Sequence, residues 1–164
     1  MIFVTVGHHE NGFPRLIKKM DEVAPRLNHE VIMQIGHTPY IPHNTKWFRF
    51  TSEEMIRQIY QEADVVIAHA GAGTILTVLK YQKPLILVPR LRELGEHIDD
   101  HQKELAQILQ RWGVAFAVYD IERLEEAIEL ALLSKKRTIR YQFSKKLSHR
   151  LREYIQKIQE AKEV

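Results

Sequence analysis

Cysteine is absent from the chain's 164 residues, which excludes a disulfide framework and any thiolate metal site. Long apolar runs are also missing. None approaches the roughly 20 residues that a helix needs to cross the hydrocarbon core of a bilayer. The opening "MIFVTVG" has no basic segment ahead of an apolar one, so it reads as a buried strand rather than a secretory leader. Strong net charge is lacking too: 24 Lys/Arg against 21 Asp/Glu leave +3. No internal repeat or low-complexity tract is present. What these absences leave is a cytoplasmic globular protein whose length fits one domain. Its 45% hydrophobic and 27% charged residues are an ordinary soluble balance that can bury a sizeable core.

The mild basicity is unevenly placed. From Ser134 onward there are ten Lys/Arg against three acids, which leaves the remainder slightly acidic. Such a tail suits an anionic surface or a partner subunit, or else is a solvated helix face. The basic residues fall on one helix, without aromatic platforms on a sheet, so no nucleic-acid partner is expected.

Continuous apolar runs alternate with stretches of helical spacing. "MIFVTV", "EVIMQIG", "KWFRF", "DVVIAHA", "PLILVP" and "VAFAVY" read as strands, the third short and edge-like. Between them lie helices, among them "TSEEMIRQIYQEA" with a Ser cap and "DIERLEEAIELALL" with an Asp cap. Strands without polar alternation, separated by helices of ten to fifteen residues, indicate a parallel sheet covered on both faces. The expected fold is a single α/β, Rossmann-like domain over 1–133, followed by a basic C-terminal helical extension over 134–164. The loop "GHTPYIPHNT", 36–45, is the least structured stretch.

Ligands in such folds bind at the carboxyl ends of the strands, where unusual sequences collect. "HAGAGT" places Gly71 and Gly73 at a strand-to-helix turn. Glycines there let a ligand approach main-chain N–H groups at a helix N-terminus, an arrangement suited to phosphate, to which Thr74 could add a hydroxyl. The same glycines would also serve close strand–helix packing. The motif is neither a Walker A loop nor the dinucleotide fingerprint, which follows the first strand. "VGHHENG" sets Gly7, His8 and His9 at the end of the first strand, where the imidazoles would donate to a phosphate, act as acid or base, or simply sit in a surface loop. "PRLRELGEHIDDHQ" concentrates Arg90, Arg92, Glu96, His97, Asp99, Asp100, His101 and Gln102 after the fifth strand. That density of polar groups suits a sugar-like ligand. One of Asp99 and Asp100 is expected to cap the next helix.

Together, "HAGAGTILTVLKYQKPLILVPR" and "GEHIDDHQ" resemble the C-terminal, donor-binding half of glycosyltransferase family 28. The layout is that of small stand-alone members: the catalytic subunit of the two-chain dolichol-linked UDP-GlcNAc transferase, and bacterial exopolysaccharide glucuronosyltransferase subunits. The resemblance spans about Met1 to Ala131. It implies one half of a GT-B enzyme that is inverting and independent of metal or other cofactor. The donor would be a UDP-sugar, glucuronate or GlcNAc, and the acceptor a lipid-pyrophosphate-linked sugar. A membrane-anchored subunit would hold the acceptor and keep this chain peripheral at the cytoplasmic membrane face. An isolated chain would be open to homodimerisation.

Carried over by residue, Gly7, Gly71, Ala72, Gly73 and Thr74 would line the donor diphosphate. Glu96, His97, Asp100 and Gln102 would contact the donor sugar. Arg90 or Arg92 would pair with a glucuronate carboxylate. Thr77 stands where a larger relative has a ribose-holding Glu. The general base would be His8 or would lie on the partner, with His9 and His69 the other local candidates. The stripe Tyr141, Phe143, Leu147, Leu151, Tyr154, Ile155 and Ile158 would dock onto the partner, onto anionic lipid or back onto its own domain. Two other readings are a non-catalytic UDP-sugar-binding module and a UDP-GlcNAc 2-epimerase, the latter disfavoured by length.

Overall fold

The computed structural model describes residues 1–136 and 145–160. Among them, six strands form one sheet: β1 (Ile2–Thr5), β2 (Val31–Gln34), β3 (Lys46–Phe48), β4 (Val65–Ala68), β5 (Leu85–Leu87) and β6 (Phe116–Ala117). Every pairing is parallel, in the order β3-β2-β1-β4-β5-β6. This is the doubly wound order, with the chain reversing direction across the sheet between β1 and β4. The edge position expected for the third strand is the observed one.

Alternate residues of each strand face opposite sides. Ile2, Val4, Val65, Ile67 and Ile86 face a core completed by α1 (Pro14–Val23) and α5 (Leu124–Lys136), through Leu16, Ile17, Met20, Leu124 and Ile128. Phe3, Val66, Ala68, Leu85 and Leu87 face the other core, built with α2 (Glu53–Glu62), α3 (Ala72–Lys80), α4 (His101–Arg111) and α6 (Lys145–Glu160). Leu151 of α6 is fully buried in that second core, with Ile155 and Tyr154 beside it, and Arg150 lies 5.0 Å from the Trp112 ring. Of the three docking modes open to this stripe, Leu151 and Ile155 take the one back onto their own domain. Tyr141 and Phe143, with the side chains of Leu147 and Ile158, lie outside the described residues. No described helix is long and apolar enough to cross a membrane.

Helix starts follow local chemistry. Ser52 caps α2 by accepting the Met55 N–H at 3.2 Å, and Glu53 and Glu54 occupy the positive first turn. Asp120 accepts the Glu122 N–H at 3.1 Å and starts the short turn that leads into α5.

The loop 36–45 is better held than its composition suggests. Asp21 of α1 is 2% exposed. Its carboxylate accepts the His43 and Asn44 backbone N–H groups at 3.0 and 2.8 Å and the Tyr40 hydroxyl at 2.7 Å. Burial pushes the Asp21 pKa up, but these donors outweigh it and hold the group below its usual 3.8. The stabilisation is therefore complete above the ordinary carboxylate range and is lost as pH falls through the depressed folded value. Asp21→Ala orphans two N–H groups and a phenol. In denaturant melts at neutral pH it should cost about 3 kcal/mol, and the difference from wild type should shrink in acid.

Candidate functional site

The ends of β1 and β4 lie side by side, with Thr5 in register with Ala68. Both strands then turn sharply, through Gly7 (φ +69°) and Gly71, and the His69 ring lies between the two turns. A Cβ on Gly7 would stand 2.6 Å from His69 Cε1, and one on Gly71 would stand 2.8 Å from Cδ2. Each is closer than van der Waals contact allows, so both glycines are required by the imidazole. The packing and ligand-approach readings of "HAGAGT" thus divide between its two glycines. Gly71 serves packing. At Gly73 a Cβ would meet nothing within 4 Å.

His69 is 9% exposed, and its Nδ1 has no hydrogen-bond partner among the described residues. Burial first, and the Arg90 charge second, push its pKa down to about 4. The ring is therefore neutral at physiological pH, and it fills the space between the two turns without lining the cavity at the carboxyl edge of the sheet.

Helix α3 begins at Ala72, two residues earlier than the glycine turn suggests, with Gly71 at the N-cap and no side-chain cap. Its first-turn N–H groups open onto a cavity of about 560 Å³ at the carboxyl edge of the sheet. The walls bring together Gly7 and His8 from the first loop, Gly73, Thr74 and Thr77 from α3, and Glu53, Ile56 and Tyr60 from α2. Thr5 and Gln34 form the floor, joined by a hydrogen bond from the Thr5 hydroxyl to Gln34 Oε1. The ring of His8 stacks on Phe50, 5.3 Å between centroids. Burial, then the Tyr81 charge, push the Tyr60 phenol up to about 12, so it remains a hydrogen-bond donor. A helix N-terminus and hydroxyl donors suit an anionic, polyhydroxylated ligand, with the Glu53 carboxylate in the wall as an acceptor for its hydroxyls. A second cavity of about 500 Å³ lies at the β6 edge, away from these strand ends.

Of the expected diphosphate residues, Gly7, Gly73 and Thr74 line the cavity, as does the expected base His8; Gly71 and Ala72 do not. None of the expected sugar-contacting residues lines it, and four are committed elsewhere. Arg90 is 1% exposed; its guanidinium donates to the Gly12 and Val6 carbonyls and lies 4.5 Å from the Phe13 ring. It is not available to a donor carboxylate. Gln102 is buried and accepts the Arg90 backbone N–H at 3.1 Å. Glu96 is engaged by Arg15 Nε and Nη2 at 2.7 and 2.9 Å and accepts the Leu91 N–H at 3.0 Å. His97 is paired through Nδ1 with Asp99 at 2.9 Å, its ring 5.7 Å from that of His9. Asp99 accepts the His101 N–H at 3.1 Å, while Asp100 stands exposed at the start of α4 without a capping bond. Arg92 is exposed on the same loop.

Thr5, Gln34, Phe48, Thr51, Glu53, Ile56 and Tyr60 were not foreseen. Thr5 and Gln34 did leave a signal, as polar residues ending the otherwise apolar strands "IFVT" and "VIMQ".

Fold and site together define a Rossmann-like half with an open cavity at the carboxyl ends of a parallel sheet. The chain matches the glycosyltransferase family 28 C-terminal domain over residues 1–162, and it belongs to that family. It is similar to the UDP-N-acetylglucosamine transferase subunit ALG13 of Homo sapiens, 32% identical over 127 residues that cover 70% of this chain and 11% of that protein. It is also similar to the UDP-N-acetylglucosamine–N-acetylmuramyl-(pentapeptide) pyrophosphoryl-undecaprenol N-acetylglucosamine transferase of Prochlorococcus marinus, 28% identical over 120 residues covering 71% of this chain and 30% of that one. Among solved structures, CalG4, the calicheamicin glycosyltransferase, superposes with a TM-score of 0.63 at 17% identity, covering 85% of this chain and 37% of that chain. The chain thus spans about a tenth to a third of the curated relatives named here, and it has the fold of one half of a GT-B glycosyltransferase.

Two glycine substitutions should separate packing from open space. Gly71→Ala forces a methyl into the buried imidazole and should cost about 1–3 kcal/mol. Gly73→Ala, in the first turn of a helix with free space around it, should be neutral or stabilising by up to about 1 kcal/mol. Thermal melts check both. Because the folded pKa of His69 lies below its ordinary 6.5, its contribution is complete above 6.5 and is lost as pH falls through about 4. Stability against pH should be flatter over that window in His69→Gln than in wild type.

Proposed function

We propose that this chain is the donor-binding, catalytic subunit of an inverting UDP-sugar glycosyltransferase. The observation that carries the reading is the cavity in which Gly7 and the uncapped start of α3 face each other at the carboxyl edge. The donor diphosphate sits on the α3 N-terminus, against Gly73 and Thr74. The nucleoside lies between α2 and α3, where Glu53 and Thr77 supply groups for ribose hydroxyls, and Thr51 and Phe48 also line the cavity.

The acceptor is a lipid-pyrophosphate-linked sugar, as the name of the Prochlorococcus relative supports. A membrane-associated partner presents it, as the word subunit in the name of the human relative supports. The acceptor hydroxyl oxygen attacks the anomeric carbon on the face opposite the departing group. The bond from that carbon to the diphosphate oxygen breaks, and UDP leaves with the electron pair. The developing negative charge falls where the positive end of α3 points, and this proposal assigns no metal to the step. His8, the one imidazole lining the cavity, takes the acceptor proton. With Arg90 engaged internally, the exposed Arg92 is the arginine left to pair with a glucuronate carboxylate, and the donor sugar is glucuronate or GlcNAc.

Calorimetric titration with UDP, UDP-GlcNAc and UDP-glucuronate tests this. UDP should bind to wild type, and Gly73→Val should weaken it about tenfold or more, about 1.4 kcal/mol, with an unchanged melting temperature because its side chain enters open space. UDP binding without turnover, even with the partner added, would instead make the chain a non-catalytic binding module. Absence of UDP binding with the partner present would end the donor reading.

A further inference from the structure

Arg90 is the largest fully buried side chain, and it spans a loop mouth. Val6 immediately precedes the loop 7–11, and Gly12 immediately follows it. Both of their carbonyls accept from the same guanidinium, Gly12 through Nη1 and Val6 through Nη2 at 3.3 Å. Its Cζ lies over the ring of Phe13, the next residue along, 4.5 Å from the centroid. Its own backbone is held in turn, since the Arg90 N–H donates to Gln102. Glu96, the acid whose charge it feels, has both oxygens occupied by Arg15 and the Leu91 N–H. The guanidinium therefore has few partners besides the loop: its Nε is buried with no hydrogen bond among the described residues.

Holding a cation in this place costs desolvation, and its pKa falls from the usual guanidinium range to about 10, with burial the main cause. Two carbonyls and a ring face are a modest return for a purely structural charge. The loop so closed carries Gly7 and His8, both on the cavity wall.

We propose that Arg90 is a positioning residue: its guanidinium clasps the two ends of the loop 7–11 and thereby fixes Gly7 and His8 against the anionic part of the ligand. The role for UDP rests on the donor reading above; the clasp itself does not. Only a planar, forked cation can bond two carbonyls and stack on a ring at once, so lysine is a partial substitute and methionine keeps only the bulk.

The test uses the whole chain with Arg90→Lys and Arg90→Met, and Ile155→Ala as a control that loosens the α6 contact far from the loop in sequence. Three quantities are read where every variant is folded: amide hydrogen exchange over 7–12, UDP affinity by calorimetry, and the NMR titration of His9. In Arg90→Met, exchange over 7–12 should rise and UDP affinity should fall, each by about tenfold or more, with Arg90→Lys in between. Ile155→Ala should lower the melting temperature and move neither. The His9 midpoint is held down by burial, Arg90 and His97 against the opposing Glu10 charge, and it should rise in Arg90→Met.

Unchanged exchange over 7–12 overturns the clasp. Faster exchange with unchanged UDP affinity of the folded protein overturns the positioning role and leaves Arg90 structural. If wild type binds no UDP even with the partner present, the donor reading falls, and exchange together with the His9 titration decides the clasp alone.

Discussion

The space occupied by one imidazole ring governs the ligand edge of this protein. Strands β1 and β4 are hydrogen-bonded neighbours, about 4.8 Å apart, so the turns that follow them must pass close together. His69 fills the gap, and Gly7 and Gly71 on either side have no side chain because the ring leaves no room for one. The ring is neutral, nine-tenths buried and held there by its surroundings. With the turn at Gly71 set in this way, α3 starts at Ala72 and aims its N-terminus at the space above Thr5 and Gln34. The placement of the α3 N-terminus thus follows from a packing constraint one layer below it.

Around that wedge, arginine side chains tie the loops at the carboxyl edge to one another. Arg90 bonds both ends of the first loop. Arg49 donates to the Gly36 and Thr38 carbonyls, each at 2.9 Å, and holds the loop after β2. Arg15 reaches from α1 to Glu96 and the Pro89 carbonyl, fastening the loop after β5. A guanidinium suits this work, because its fork reaches two acceptors on different segments at once. The consequence is an edge whose loops are fixed before a ligand arrives, which lowers the ordering cost of binding.

Much of the fold was legible in the sequence because its strands are buried on both faces and carry unbroken apolar runs. Six strands, their parallel arrangement and the edge position of "KWFRF" all follow from that pattern. Boundaries were less legible. The strand at "VAFAVY" pairs only over Phe116 and Ala117, and the loop 36–45 owes its order to Asp21, a partner more than a dozen residues away. At the site, glycines beside a strand end signalled a close approach, yet could not show that Gly71 approaches an imidazole and Gly73 open space. The segment after β5 misled for a physical reason. Arg90 and Glu96 are as polar as ligand-binding residues, and their partners Gly12 and Arg15 lie 78 and 81 residues away, while Gln102 bonds to Arg90 itself. Long-range bonds of that kind leave no local pattern, whereas the polar ends of β1 and β2 did.

The central claim is that the ligand edge centres on Gly7, His8 and the start of α3. Backbone amide chemical-shift mapping of the isotopically labelled chain during titration with UDP tests it most directly. The account predicts saturable shifts concentrated at Gly7, His8, Gly73, Thr74 and Thr77, with smaller ones at Glu53 and Thr51. Shifts clustered instead around Gly113 to Asp120, at the β6 edge, or shifts that leave the first turn of α3 untouched, would contradict it.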